Sequence, residues 1–90
     1  MSTKDDMVSR NVELATEFSH YLFDHPDFES DLDQDAEVVL LPEGDKELRD
    51  HNLRTGREME AAGSKVVYVS IKRMRPRVTS RIEELALVTA

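Results

Sequence analysis

No cysteine occurs in the 90 residues, which excludes disulfides, thiol chemistry and thiolate metal sites. Tryptophan is missing as well, and the aromatic side chains amount to two Tyr and three Phe, so the core must be aliphatic. For a chain of 10.3 kDa that core is also small. Area scaling puts the surface buried on folding at roughly 60 to 65 per cent of what the unfolded chain exposes, so self-association is expected to supply area that one copy lacks. Long hydrophobic runs are absent: none exceeds about six residues, and Met1-Ser2-Thr3-Lys4-Asp5-Asp6 is polar, so neither a membrane span nor a signal peptide is expected. The default compartment is then the cytoplasm. Lys and Arg are absent from residues 24–45, where nine acidic side chains fall, and the whole chain carries a net charge of −7. A negative field disfavours nucleic acid and anionic membranes. The exception is a basic island of Lys72, Arg73, Arg75, Arg77 and Arg81.

What is present organises itself around residues 37–73. Two short apolar runs, Val38-Val39-Leu40-Leu41 and Val66-Val67-Tyr68-Val69-Ser70-Ile71, are each bounded by turn residues: Pro42 and Gly44 after the first, Gly63 and Ser64 before the second. The intervening segment is too long for a hairpin and long enough for the crossover that parallel strands require. It reads as a helix with Asp45 as N-cap and Gly63 as the left-handed residue beyond its end. Its length as a helix, about 25 Å, suits strands of about 20 Å. Leu48, Asn52, Thr55, Met59 and Ala62 form its expected inward stripe, with Leu53 beside it, and Gly56 lies mid-helix at a cost of roughly 1 kcal/mol relative to Ala.

Ahead of this unit, Val8, Val12, Ala15, Phe18 and Leu22 recur at helical spacing, predicting an amphipathic helix over residues 8–23 that Asp5 or Asp6 caps and Pro26 ends. Residues 1–6 read as a flexible leader, and 27–35 as an acidic connector anchored by Phe28 and Leu32. The fold class is therefore α/β: a single α-β-α-β domain over residues 7–90, its parallel strand pair joined by a helical crossover. A basic C-terminal arm begins at about residue 74. Four successive apolar residues in the first strand call for cover on both faces, which one helix cannot provide. Pro76 stops the second strand or marks an edge. Ser80-Arg81-Ile82-Glu83 has the form of a capping box, whereas Leu85-Ala86-Leu87-Val88-Thr89 suits a strand that adds to the sheet, including the sheet of a neighbouring subunit.

Patterns that carry chemistry are scarce. Asp31, Asp33 and Asp35 alternate like the first ligands of a calcium loop, but the sixth position is Ala36 rather than Gly and the twelfth is Pro42 rather than Glu, so the pattern fails. Glu43-Gly44-Asp45 occupies the loop where open α/β sheets place ligands, with His51 one to two turns further on. A phosphate cradle there would want glycines with Lys or Ser, so a cap and a turn are the plainer reading. His20 and His25 are five apart, not the i, i+4 spacing of helical metal pairs. No metal or cofactor is expected, and no serine has a nucleophile-elbow glycine pair around it.

Several of these residues also carry a resemblance. Asn11-Val12-Glu13-Leu14-Ala15-Thr16-Glu17-Phe18, Tyr21-Leu22, Pro26-Asp27-Phe28, Ala36-Glu37-Val38-Val39-Leu40-Leu41-Pro42-Glu43-Gly44-Asp45 and Val66 to Arg73 resemble a family of short prokaryotic proteins known only as a domain of unknown function. Arg75-Pro76-Arg77 and Ser80-Arg81-Ile82-Glu83-Glu84-Leu85 are similar to its tail. The likeness would span about residues 7 to 85 and departs in the connector, where Asp33 stands in place of a proline. It implies a prokaryotic, cytoplasmic origin and no activity, cofactor or catalytic residue.

Two classes of function remain. One is an acidic, homodimeric protein-interaction module, antitoxin-like or regulatory, whose basic Lys72, Arg73, Arg75, Arg77 and Arg81 bind a protein partner. The other is a small-molecule or metal binder, or a minor enzyme, working from Glu43, Gly44, Asp45 and His51. They differ in an observable: only the second predicts that a metal or metabolite raises the melting temperature.

Overall fold

The computed structural model describes residues 4–76 and 81–89. Its elements run α1 (Lys4–Asp24), α2 (Pro26–Asp31), β1 (Glu37–Pro42), α3 (Lys46–Ala61) and β2 (Val66–Ile71). The two strands pair in parallel in one sheet, from Glu37 opposite Val66 to Pro42 opposite Ile71, with α3 as the crossover. This is the expected α/β arrangement. Local chemistry delimits α3 at both ends. Asp45 caps its start, Oδ1 accepting from Leu48 N at 3.2 Å. At its end Gly63 takes φ +97°, and Gly63 N to Glu60 O (3.0 Å) with Ser64 N to Met59 O (2.9 Å) closes the paired bonds of a Schellman turn.

The face α3 turns inward is narrower than the sequence pattern implies. Leu48 and Asn52 are buried and Met59 half-buried, but Thr55 and Ala62 are exposed, and Gly56 takes a buried place instead. The reason is the ring of Tyr68 on β2. A Cβ built on Gly56 would lie 2.6 Å from Tyr68 Cε1, so the glycine is where helix and strand approach most closely. The Tyr68 hydroxyl then bonds Glu60 one turn on. Gly56→Ala is therefore expected to gain nothing from its better helix propensity while Tyr68 is present, and to stabilise by about 1 kcal/mol once Tyr68→Ala has removed the ring. Urea melts of the four proteins of that cycle measure it; equal stabilisation in both backgrounds would refute the account.

In register, Val39 and Leu41 share the face of Tyr68, whose ring meets Gly56 of α3, and they are 8 % and 9 % exposed. The opposite face is only partly covered: Leu40 and Ile71 pack against a cluster of Met7 and Leu14 from α1 and Leu48 from α3, while Val38 is 38 % exposed and Val67 and Val69 are half-buried. Full burial of β1 on both faces does not hold.

The N-terminal helix differs from expectation in extent and in rotation. It already includes Lys4 to Asp6, so Asp5 and Asp6 lie in its first turn rather than in a leader or a cap. Met7 and Leu14 point inward, while Val8 and Val12 are 54 % and 61 % exposed. Polar contacts set this rotation. Asn11 and Asn52 exchange amide bonds of 2.9 and 2.8 Å, and Arg10 reaches Asp45, which places the Met7-Asn11-Leu14 side against α3. Residues 26–31 form α2 rather than plain connector, and its Phe28 packs edge-on against Phe18 and Tyr21. Pro26 sits in the first turn of α2, where its missing N–H costs nothing. Among the described residues 81–89 there is neither helix nor strand, and all are exposed; the capping-box residue Ser80 lies outside the described residues.

Candidate functional site

Charged groups concentrate at the C-terminal ends of the two strands, where α/β sheets commonly hold ligands. The chain leaves β1 at Pro42, and Glu43 N donates to Ile71 O at 2.9 Å, tying the loop to the end of β2. Glu43 accepts from Ser70 Oγ at 3.0 Å and from Arg49 Nε at 3.2 Å. Those hydrogen bonds, Ser70 first and Arg49 second, hold its carboxyl below the usual range, and the charge of Lys72 adds to the effect. Asp45 caps α3 and accepts two bonds from Arg10 Nη1 at 3.1 Å. Arg10 also bonds Asp6 at 2.5 Å and Glu47 at 2.6 Å, and these carboxylates, Asp6 foremost, raise its already high pKa. Gly44 is an exposed turn residue.

The residues proposed from sequence for a ligand site are thus gathered in part. Glu43 and Asp45 lie at one end of the sheet, but both carboxylates face cations and hydroxyls of the chain itself. His51 is half-buried on α3, its carbonyl accepting from Thr55 Oγ1. His25 stacks on Tyr21 at 3.9 Å, and its Nδ1–H donates to the Tyr21 carbonyl at 2.9 Å. Among the described residues no group of three or more His, Asp or Glu is placed to hold a metal ion. An open groove of about 280 Å³ runs between α1, β1 and α3, lined by Asn11, Ala15, Val38, Thr55 and Met59.

Of the basic island, Lys72, Arg73, Arg75 and Arg81 are exposed, and none forms an ion pair among the described residues; Arg77 lies outside them. Sequence reasoning missed Arg10, Asn11 and Ser70. The available signal was a break in apolar periodicity at Arg10-Asn11, which interrupts the inward face of α1 between Met7 and Leu14.

A second ion pair ties the entry to β1: Lys65 to Asp33, whose carboxyl also accepts from Asp35 N at 2.9 Å. Lys65 first and that backbone bond second hold the Asp33 carboxyl below its ordinary value. Because Asp33 and Glu43 are both depressed in the folded chain, the stability they contribute is present above the ordinary carboxylate range, about pH 4, and is lost as pH falls through their folded values. Melting temperature should hold from about pH 7 to 5 and decline below about 4, and the gap between wild type and Glu43→Gln should close there. A gap that widens on acidification would overturn this assignment.

Residues 6–85 match a family of unknown function, DUF5647. The chain belongs to this family. No curated protein and no solved structure matches it. The match spans α1 through β2 and continues to Leu85, so this DUF5647 member carries the basic island inside the shared region. No helix among the described residues is long and apolar enough to cross a membrane.

Proposed function

We propose that this DUF5647 protein is a small cytoplasmic interaction module that acts as a homodimer, its basic island meeting carboxylates across the contact. One observation carries the reading: β2, the longest apolar run of the chain, has no buried residue, its six positions being half-buried or exposed. An apolar strand left in that state by its own helices is a surface for another chain. Charge fits the same role, because Lys72, Arg73 and Arg75 follow β2 directly and are solvent-facing. Exposed pairs contribute only about 0 to 1 kcal/mol each, so such a cluster selects partners and speeds encounter more than it stabilises. Light scattering in line with gel filtration, at about 100 μM and physiological salt, is expected to give twice the chain mass of 10.3 kDa. A mass of one chain would refute the proposal. The alternative of ligand binding at Glu43 to Asp45 draws less support, since Arg10, Arg49 and Ser70 already occupy those carboxylates.

A further inference from the structure

The two edges of the sheet are not equivalent. Glu37 N bonds Lys65 O and Glu43 N bonds Ile71 O, so in β1 the odd-numbered residues direct their main-chain groups at β2, and in β2 residues 65, 67, 69 and 71 direct theirs at β1. The outward groups of β1 belong to Val38, Leu40 and Pro42. That edge is blunted: Leu40 O accepts from Asn52 Nδ2 at 2.9 Å, Pro42 O accepts from Asp45 N at 3.2 Å, and Pro42 has no N–H. The outward groups of β2 belong to Val66, Tyr68 and Ser70, and none of them has a hydrogen-bond partner among the described residues. A flat edge in this state is a template for one more strand.

A candidate strand is carried by the same chain. Leu85, Leu87 and Val88 are 77 %, 91 % and 87 % exposed, in a segment with no regular structure and no contact that covers them. Laid antiparallel on β2, this segment has one register that satisfies charge and apolar pattern together. With Glu84 opposite Lys72, Glu83 falls opposite Arg73. Leu85 and Leu87 then fall opposite Ile71 and Val69, on the face where Val67 and Val69 are only half-buried. Ala86 and Val88 pair with Ser70 and Tyr68, the residues whose main-chain groups point outward. Two acids meet two bases, and the apolar residues extend existing apolar rows.

We propose that residues 83–89 of one copy add an antiparallel strand to the open β2 edge of a second copy, and that the second copy returns its own arm in the same way. This rests on the self-association reading and specifies its contact. Among the described residues of a single chain, no main-chain hydrogen bond joins residues 83–89 to β2, and its edge stays open. Exchange between two copies closes both edges at once. The roughly ten residues between Ile71 and Glu83, at about 3.3 Å each when extended, reach across such a pair without strain. The partner this surface fits is another copy of the chain, recognised by its acidic, leucine-bearing arm.

The test is amide hydrogen exchange on the full chain together with its mass in solution, for wild type, Ala86→Pro and the pair Glu83→Lys with Glu84→Lys. Wild type should be a dimer with slow exchange at the Tyr68 and Ser70 amides. Ala86→Pro, which removes the N–H that would donate to Ser70 O, should return it to 10.3 kDa and abolish that protection, while Val67 and Val69, bonded to β1, stay protected and report an intact fold. The charge-reversed pair should weaken the dimer in the same way. A dimer that persists in Ala86→Pro with Tyr68 still protected would mean that β2 pairs with β2, overturning the arm exchange but not self-association. A monomeric wild type with Tyr68 protected would mean that the arm folds back on its own strand. That outcome, like a monomer with Tyr68 unprotected, would overturn both.

Discussion

Leu48→Ala is expected to lower folding stability by about 2–5 kcal/mol, the range for truncating a buried leucine into a site that cannot collapse. Leu48 is 3 % exposed, the most buried side chain of the core, and it joins Met7 and Leu14 of α1 to α3, with Leu40 and Ile71 at the margin. Its removal loses transfer energy and opens a cavity between two helices that share few other apolar contacts. Domains have only about 5–15 kcal/mol in total, so the variant should lose α1 docking or unfold in part at room temperature. Leu40→Ala should cost less, because Leu40 is only half-buried and water already reaches it. Urea melts followed by far-ultraviolet circular dichroism rank the two. If Leu40→Ala proves the more damaging, the core is centred on β1 rather than between the helices.

The second large effect is expected at Asn52, a polar side chain only 6 % exposed. Its amide nitrogen donates to Leu40 O at 2.9 Å and to Asn11 Oδ1 at 2.8 Å, while its oxygen accepts from Asn11 Nδ2 at 2.9 Å. The orientation follows from the carbonyl, which can only accept and so must face the amide nitrogen. Leucine in its place keeps the branching and the number of heavy atoms but strands the Leu40 carbonyl and both ends of the Asn11 amide, at about 1–3 kcal/mol for each buried group left unpaired. It also frees the edge of β1 and the rotation of α1. Asn11→Leu should cost less, since Asn11 is half-buried and the bond from Asn52 to Leu40 O survives. Equal costs in urea melts would mean that the bond between the two asparagines, not the capped strand edge, is what matters.

The legible features were those whose cause is local. Val66 to Ile71 is a strand because branched and aromatic residues suit a pleated chain, and Asp45 and Gly63 delimit α3 through their own side chain and backbone. The length of the crossover alone made the strands parallel. The Glu43 to Asp45 loop was legible as a place, being the end of a strand, but not as a set of partners. Arg10, Arg49 and Ser70 reach it from three other elements, and no spacing along the chain encodes that meeting.

By itself, then, the sequence determined the order and type of α1, β1, α3 and β2, the direction of the strand pair, the caps of α3 and the position of the basic island. Tertiary structure decided which side of α1 faces inward. Val8 and Val12 have the apolar spacing, yet Asn11 and Arg10 find partners only when Met7 and Leu14 turn toward α3, and one part-buried amide pair outweighs two exposed valines. Packing likewise made Gly56, a cost within an isolated helix, the seat for Tyr68. The edges of the sheet differ for the same kind of reason: Asn52 and Asp45 occupy two carbonyls on that of β1 from α3 and the loop before it, and among the described residues no such group reaches β2. Hydrophobic spacing is a property of one element, whereas the pairing of polar groups between elements exists only once they are side by side.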